Sequence, residues 1–159
     1  MGTIEEYSTG AILESISKVL RFFESTSGPL GSEQKGLQLQ QKIQAFEPLI
    51  LTFAEASEYI RDASTIALGE RVCRALHPES LSTESVFLDE LAIEMIRSGK
   101  ARAVTVQDAE SSLRANSGHP LIISKVSGRY QEICASCKAD CVFWRAEKRG
   151  LHCLKRKNI

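Results

Sequence analysis

Four cysteines lie close together near the C-terminal end of this 159-residue chain, and they constrain its fold more than any other feature. They follow the spacing C-x2-C-x3-C-x11-C and are Cys134, Cys137, Cys141 and Cys153. The fifth cysteine, Cys73, lies far from them in the sequence. Thiolates at this density are typical ligands of a zinc ion or an iron–sulfur cluster. The spacing therefore predicts that the four side chains converge on one metal centre.

The same spacing favours a [4Fe-4S] cluster over zinc. Structural zinc sites usually combine two separate pairs of ligands. In this chain three cysteines fall within eight residues and Cys153 follows at a distance. That arrangement is similar to cluster-binding patterns, although the full ferredoxin run C-x2-C-x2-C-x3-C-P is absent. Zinc is therefore the alternative cofactor, with His152 as an alternative ligand to Cys153, and disulfides or uncoordinated thiols are a third interpretation.

Residues 134–159 are basic, although the whole chain has no net charge. They contain seven Lys and Arg residues and two acidic residues, a net charge of +5, so the remaining residues carry −5. Cations between the cysteines would offset the negative charge of a thiolate-bound metal. Lys155, Arg156 and Lys157 follow the last cysteine and are candidates for contacting a partner. Because the acidic remainder repels polyanions, we expect a protein partner, with nucleic acid as the alternative.

Helical periodicity dominates the first hundred residues. Apolar residues recur every three or four positions, which predicts helices over residues 11–25, 37–47, 48–61, 64–76, 82–98 and 105–116. These helices are expected to share one core containing Ile16, Phe23, Ile43, Phe53, Val72, Leu91 and Met95. Cys73 falls on the apolar face of its helix, so we expect it in that core and not at the metal.

Residues 82–133 have the element order of a winged-helix unit. Two helices precede an apolar hairpin that turns at Ser127 and Gly128, and this hairpin would be the wing. However, the helix over 105–116, which would enter the major groove, has a net charge of −1, a poor match to phosphate. Two helices and a hairpin are also a common scaffold, which is the simpler interpretation.

We therefore predict a mainly helical α+β protein, a helical bundle with a small β-hairpin and a C-terminal four-cysteine metal-binding module. Residues 1–133 would form the helical body and residues 134–159 the metal-binding tail. No apolar run approaches the ~20 residues that span a bilayer, and the first residues lack the features of a signal peptide. We expect a cytoplasmic protein without a membrane segment, and the pattern leaves its oligomeric state open.

The sequence does not carry the common catalytic signatures. It contains no phosphate-binding glycine loop, nucleophile elbow or H-E-x-x-H helix, and four bound cysteines would leave a metal no open position. We therefore do not expect an enzyme. The expected function is that of a metal-binding regulatory or interaction protein that responds to redox state or metal supply. The alternatives are an electron-transfer accessory protein docking onto a larger redox enzyme, and a structural-zinc adaptor or nucleic-acid-binding protein.

Overall fold

One seven-stranded sheet forms the centre of the fold, with helices packed on both of its faces. The structure is a computed structural model and describes residues 2–31, 33–70, 84–116, 118–139 and 141–156. Its helices are α1 (Ile4–Thr9), α2 (Ala11–Ser25), α3 (Gln34–Gln44), α4 (Phe53–Asp62), α5 (Asp89–Arg97), α6 (Val106–Ala115) and α7 (Val142–Lys148). Its strands are β1 (Leu49–Leu51), β2 (Ile66–Glu70), β3 (Glu84–Leu88), β4 (Ala101–Ala103), β5 (Leu121–Val126), β6 (Arg129–Ala135) and β7 (Lys155–Arg156).

The strand order is β4-β2-β3-β6-β5-β1-β7, and every neighbouring pair is antiparallel except β1 with β7. Strands β5 and β6 form the predicted hairpin. Ser127 and Gly128 at its tip have φ angles of 51° and 79°, as a type I′ turn requires. The hairpin lies in the middle of the sheet, between β3 and β1, and does not project as a wing.

The predicted fold class, a mainly helical bundle with a small hairpin, is wrong, because the chain is a mixed α/β protein. Strand β1 lies in the predicted helix 48–61, β2 in 64–76 and β3 in 82–98. Strands buried on both faces read as continuous apolar runs, which periodicity does not separate from buried helix. The remainder of the predicted helix 64–76, with Val72 and Cys73, lies outside the described residues.

Other helices match their predicted positions. Helix α2 covers residues 11–25, as predicted, and α3 and α6 lie within a few residues of the predictions 37–47 and 105–116. Helix α6 begins after Thr105, whose side chain accepts a hydrogen bond from the N–H of Asp108 at 3.1 Å. The Asp108 side chain in turn accepts from the N–H of Thr105, so both of these backbone donors are satisfied by a capping box.

Two cores flank the sheet in place of the single predicted core. The front face is covered by α1, α2, α3, α5 and α7, and its core includes Ile16, Phe23, Ile43, Leu91 and Met95. The back face is covered by α4 and α6, and its core includes Ile60, Leu113, Ile123 and Ile133. Phe53 packs against the back core but is only partly buried. The sheet separates these cores because successive side chains of a strand point to opposite faces.

The predicted metal-binding tail shares the front core with the rest of the chain. Four of its residues belong to that core: Val142, Ala146, Leu151 and Cys153. The Arg149 guanidinium donates to the backbone oxygens of Phe23 at 2.7 Å and Gly28 at 2.6 Å. These contacts join the end of α7 to the end of α2. Among the helices that the structure describes, none is both long and apolar enough to cross a membrane.

Candidate ligand-binding site

A group of polar and thiol side chains lies on the front face of the three central strands. We call this group the polar patch, and it consists of Ser85, Ser124, Glu132 and Cys134. The strand register places Ser85 opposite Cys134 and Ser124 opposite Glu132. Directly opposed residues in antiparallel strands have Cβ atoms about 5 Å apart. Between Glu132 and Cys134, Ile133 belongs to the back core, so the two patch residues share the front face.

Three residues of the polar patch are buried, and Cys134 is partly buried. Ser85 is 0% exposed, Ser124 5% and Glu132 8%. Within the described part of the chain, Ser85 Oγ has no hydrogen-bond partner. Leaving a buried polar atom unsatisfied costs about 1–3 kcal/mol, which an alanine at this position would avoid. Such an atom needs a water molecule or a ligand as its partner.

Tyr7 reaches the polar patch from α1. Its buried hydroxyl donates to Oε1 of Glu132 at 2.7 Å. Two further hydrogen bonds hold the start of α1 against the hairpin tip: the N–H of Ser127 donates to the oxygen of Gly2 at 2.8 Å, and the N–H of Ile4 donates to Oγ of Ser127 at 2.9 Å. The N-terminal helix is thereby fixed over the central strands.

A cavity of about 50 Å³ lies over the polar patch. Its apolar walls are formed by Ile16, Phe46, Ile122, Val142 and Phe143. Its polar lining is formed by Tyr7, Ser85, Ser124, Glu132, Cys134 and Cys141. One water molecule needs roughly 10–15 Å³ of such space, and a cavity of roughly 150 Å³ holds benzene. The volume is therefore suited to a few water molecules or to a ligand with few non-hydrogen atoms.

Two of the four predicted metal ligands, Cys134 and Cys141, line this cavity together. Cys141 stands at the start of α7, and its N–H donates to the backbone oxygen of Cys137 at 2.8 Å. Cys137 is only partly buried and lies in the turn between β6 and α7. As far as the chain is described, the four cysteines are thiols and do not form disulfides.

Cys153 is placed differently, in the front core and beside another pocket. Its thiol donates to the backbone oxygen of Leu151 at 3.3 Å. Burial, and to a lesser extent the Glu147 carboxylate, raises the pKa of Cys153 to about 11. As a metal ligand, Cys153 would have to lose this proton, because the thiolate is the form that binds metal. No group of three Cys, His, Asp or Glu side chains suited to a metal ion occurs among the described residues, and the four-ligand centre stays a prediction.

The remaining predicted contact residues lie apart from the cavity. Lys155 and Arg156 form β7, an exposed strand at the edge of the sheet. Lys157 lies outside the described residues. The ring of His152, proposed above as an alternative zinc ligand, has Nδ1 3.2 Å from Oε2 of Glu147. A contact of these cations with a protein or nucleic acid therefore also stays a prediction.

Sequence reasoning missed four residues of the site: Tyr7, Ser85, Ser124 and Glu132. A signal for two of them was present, because Ser124 and Glu132 interrupt apolar strands of the predicted hairpin. No local pattern marked Tyr7 or Ser85, since the first lies in a short helix and the second in a segment read as helix. Only the strand register and the packing of α1 bring these residues together.

Comparisons of the chain with models of protein families, with curated proteins and with solved structures find no match. The fold and the site define an α/β protein with a small, partly polar cavity between its sheet and its front helices. What this cavity does must therefore be inferred from its own chemistry, namely two thiols, a carboxylate and two serine hydroxyls beside an apolar wall.

Proposed function

We propose that this protein is a regulatory ligand-binding protein that takes a small molecule into the cavity on its front face. The observation that carries the proposal is the polar patch beneath that cavity, with the unsatisfied hydroxyl of Ser85 and the carboxylate of Glu132. Small-molecule sites usually combine mostly apolar walls with a few fixed polar groups. This cavity has both, and a ligand would supply a partner for the buried hydroxyl.

The regulatory part of the proposal rests on which elements meet at the cavity. Tyr7 comes from α1, Phe143 from α7 and Phe46 from the segment before β1. The rings of Phe46 and Phe143 pack edge to face with centroids 5.8 Å apart. When a ligand replaces water in the cavity, its contacts with these side chains change how stably α1 and α7 pack on the sheet. Both helices also form part of the protein surface. A partner that binds there would therefore have different affinities for the protein with and without the ligand.

Methyl NMR with labelled isoleucines tests the proposal directly. Ile16 and Ile122 line the cavity, whereas Ile60 and Ile133 lie in the back core and serve as internal references. In a screen of small fragments, we expect binders that shift the first two methyl signals and leave the other two unchanged. A screen in which every shift falls outside Ile16 and Ile122 would contradict the proposal.

A second candidate function is metal binding by a [4Fe-4S] cluster or a zinc ion. It is favoured by one observation, namely that Cys134 and Cys141 line the same cavity as the Glu132 carboxylate. Zinc accepts both thiolate and carboxylate ligands. A [4Fe-4S] cluster normally takes four cysteines, so it also requires Cys153 to leave its place in the core. Zinc therefore needs the smaller rearrangement of this structure.

Metal analysis and an absorption spectrum of anaerobically purified protein test this second candidate. A [4Fe-4S] cluster absorbs broadly at about 400 nm, and zinc does not. If zinc is held at the cavity, Cys134→Ser and Cys141→Ser should lose the metal while Cys153→Ser keeps it. If a four-cysteine cluster is present, all three substitutions should lose iron. Protein purified without stoichiometric metal would exclude both.

A further inference from the structure

A second pocket lies at one end of the sheet, on the side of the back core, and we call it the back pocket. We propose that it binds a compact monocarboxylate with an apolar body of about six carbon atoms, such as a small aromatic acid. Its apolar walls, its volume and the charge at its rim support this class of ligand. The back pocket is separate from the cavity on the front face, so each site can be tested without the other.

The apolar walls of the back pocket lie where β1 ends and β5 begins. Leu51, the last residue of β1, is the register partner of Leu121, the first residue of β5. Phe53 follows at the start of α4, and Leu113 lies near the end of α6. These four residues and Pro120 form the apolar lining. The three leucines belong to the back core, so close packing within that core holds the walls in place.

The volume of the back pocket is suited to a six-membered ring with one small substituent. It measures about 240 Å³. A cavity of roughly 150 Å³ binds benzene, which has six non-hydrogen atoms. In proportion, benzoate with its nine non-hydrogen atoms needs about 225 Å³. A bare inorganic anion would leave most of the apolar walls uncovered.

Arg114 places a guanidinium at the back pocket. The group lies over the ring of Phe53, with 4.7 Å between Cζ and the ring centroid. Such a cation–π contact favours one position of the guanidinium over the ring. A guanidinium is planar and carries five N–H donors, two of which can bind the two oxygens of one carboxylate. The geometry of this donor therefore matches a carboxylate.

The charges around Arg114 leave this end of the back pocket positive. Arg114 and Arg61 both contact the carboxylate of Glu110, at nitrogen–oxygen distances of 3.9 and 3.4 Å. Two guanidinium groups thus share one carboxylate, and a net positive charge remains even when Glu110 is counted as fully ionised. Among the described residues, no acidic side chain lines the back pocket itself. An anion is therefore attracted to it, whereas a cation is repelled.

His119 is the other polar residue of the lining. An imidazole carries at least one N–H donor, whether it is neutral or protonated. The Arg114 side chain is 65% exposed, and an exposed charge alone contributes little to binding. Burial of an apolar body against the leucines must therefore add to the attraction of the charge. This requirement selects carboxylates that carry a hydrocarbon part.

Methyl NMR with labelled leucines tests the back pocket in the unmodified protein. Leu51, Leu113 and Leu121 report on it, and Leu20 and Leu91 in the front core are references. The probes are benzoate, benzamide, which has nearly the same shape without the charge, and acetate, which has the charge without the ring. We expect benzoate to bind at least about tenfold more tightly than either, because charged hydrogen bonds and burial of a ring each contribute that much.

Two variants and a matched control locate the carboxylate contact. Arg114→Met keeps an aliphatic side chain and should weaken benzoate binding about tenfold. His119→Phe keeps a ring without donors and should weaken it about threefold. Arg97→Met is the control, because Arg97 is also an exposed helical arginine paired with a nearby glutamate, Glu94, but it lies on α5 over the front face. Its substitution should leave the affinity unchanged.

Each contrary result removes a defined part of this inference. Equal binding of benzoate and benzamide would overturn the need for a negative charge, and equal binding of benzoate and acetate would overturn the apolar body. An unchanged affinity in Arg114→Met would show that the guanidinium does not hold the carboxylate. If benzoate shifts none of the three leucine signals, the back pocket is not a binding site. None of these results alters the function proposed for the front cavity, which the signals of Ile16 and Ile122 report.

Discussion

The front and back faces of the sheet are formed by the same strands but differ in chemistry. On β6, Ile133 is completely buried in the back core, whereas its neighbours Glu132 and Cys134 form part of the polar patch. On β5, Ile123 points to the back core and Ile122 to the cavity. On the strands, the side chains that face the back core are apolar, whereas the front face keeps buried polar groups. Such a division is expected where function requires buried polar atoms.

The helices that cover the two faces also differ. The back face is covered by α4 and α6, which have ten residues each. The cavity on the front face is closed in part by α1 and α7, which have six and seven residues. Helices this short are not stable alone and depend on tertiary contacts. The front face is therefore the side on which ligand binding can change local stability.

The largest predicted effect compares two adjacent isoleucines of β5. Ile123→Ala should lower the free energy of unfolding by about 2–5 kcal/mol, because it removes a fully buried side chain from the back core. Ile122→Ala should cost at least about 1 kcal/mol less, because part of its surface faces a cavity and makes no contacts there. Urea unfolding of both variants measures the difference. Equal losses would mean that the two faces are packed equally well.

The next prediction concerns how α7 is held on the front face. Arg149 donates to Phe23, Gly28 and Oγ1 of Thr26, at distances of 2.6–2.9 Å. Arg149→Met keeps most of the side-chain volume but removes these hydrogen bonds, so we expect a loss of about 1.5–3 kcal/mol in urea unfolding.

The control for Arg149 is Arg145→Met on the same helix. Arg145 forms an ion pair with Glu24 at 3.6 Å, and the Glu24 side chain is 60% exposed. Exposed ion pairs contribute little, so this variant should lose less than about 1 kcal/mol. A larger loss at Arg145 than at Arg149 would show that the contacts to the end of α2 do not hold α7.

Two elements, helix α2 and the hairpin, were predictable from the sequence. Helix α2 has a clear apolar stripe and ends before Gly28 and Pro29, so its bounds follow from local rules. The hairpin of β5 and β6 was predictable because Ser127 and Gly128 adopt the positive φ angles of its turn. Both are local patterns, and a local pattern predicts the structure correctly where tertiary contacts do not favour a different conformation.

Strands β1, β2 and β3 were not predictable in this way. Val86, Phe87 and Leu88 of β3 are all buried, because α5 and the front core cover one face and the back core covers the other. The alternation that marks a strand with one exposed face is therefore absent. Likewise, the four cysteines are close together in the sequence, but the fold places Cys153 in the front core. It brings Tyr7, which is distant in sequence, to the cavity.

A smaller effect is expected when the contact between α1 and the polar patch is removed. Tyr7→Phe deletes the hydroxyl that donates to Glu132 and leaves the buried carboxylate with one donor fewer. We expect a loss of about 1–2 kcal/mol. In a double-mutant cycle with Glu132→Gln, the two substitutions should show coupling, because they act on one hydrogen bond. Additive losses would indicate that Tyr7 stabilises the front face through ring packing alone.

The smallest predicted effect is a pH dependence at Glu147, which holds the C-terminal segment against α7. Burial alone would raise the pKa of Glu147, but hydrogen bonds from the backbone N–H groups of Leu154 and Cys153, at 2.8 and 2.7 Å, and from His152 hold the pKa below its ordinary value of 4.5. A carboxyl with a lowered folded-state pKa stabilises the protein above its unfolded-state pKa, and this contribution is lost as the pH falls through the folded-state pKa.

Glu147→Gln should therefore be less stable than the unmodified protein by about 1 kcal/mol at pH 6, and the difference should shrink as the pH falls below 4.5. Urea unfolding at several pH values measures it. Glu58→Gln, an exposed position on α4 over the back face, is the control and should track the unmodified protein throughout. If the Glu147 difference persists unchanged at low pH, the lost stability reflects side-chain shape and not the charge that accepts these hydrogen bonds.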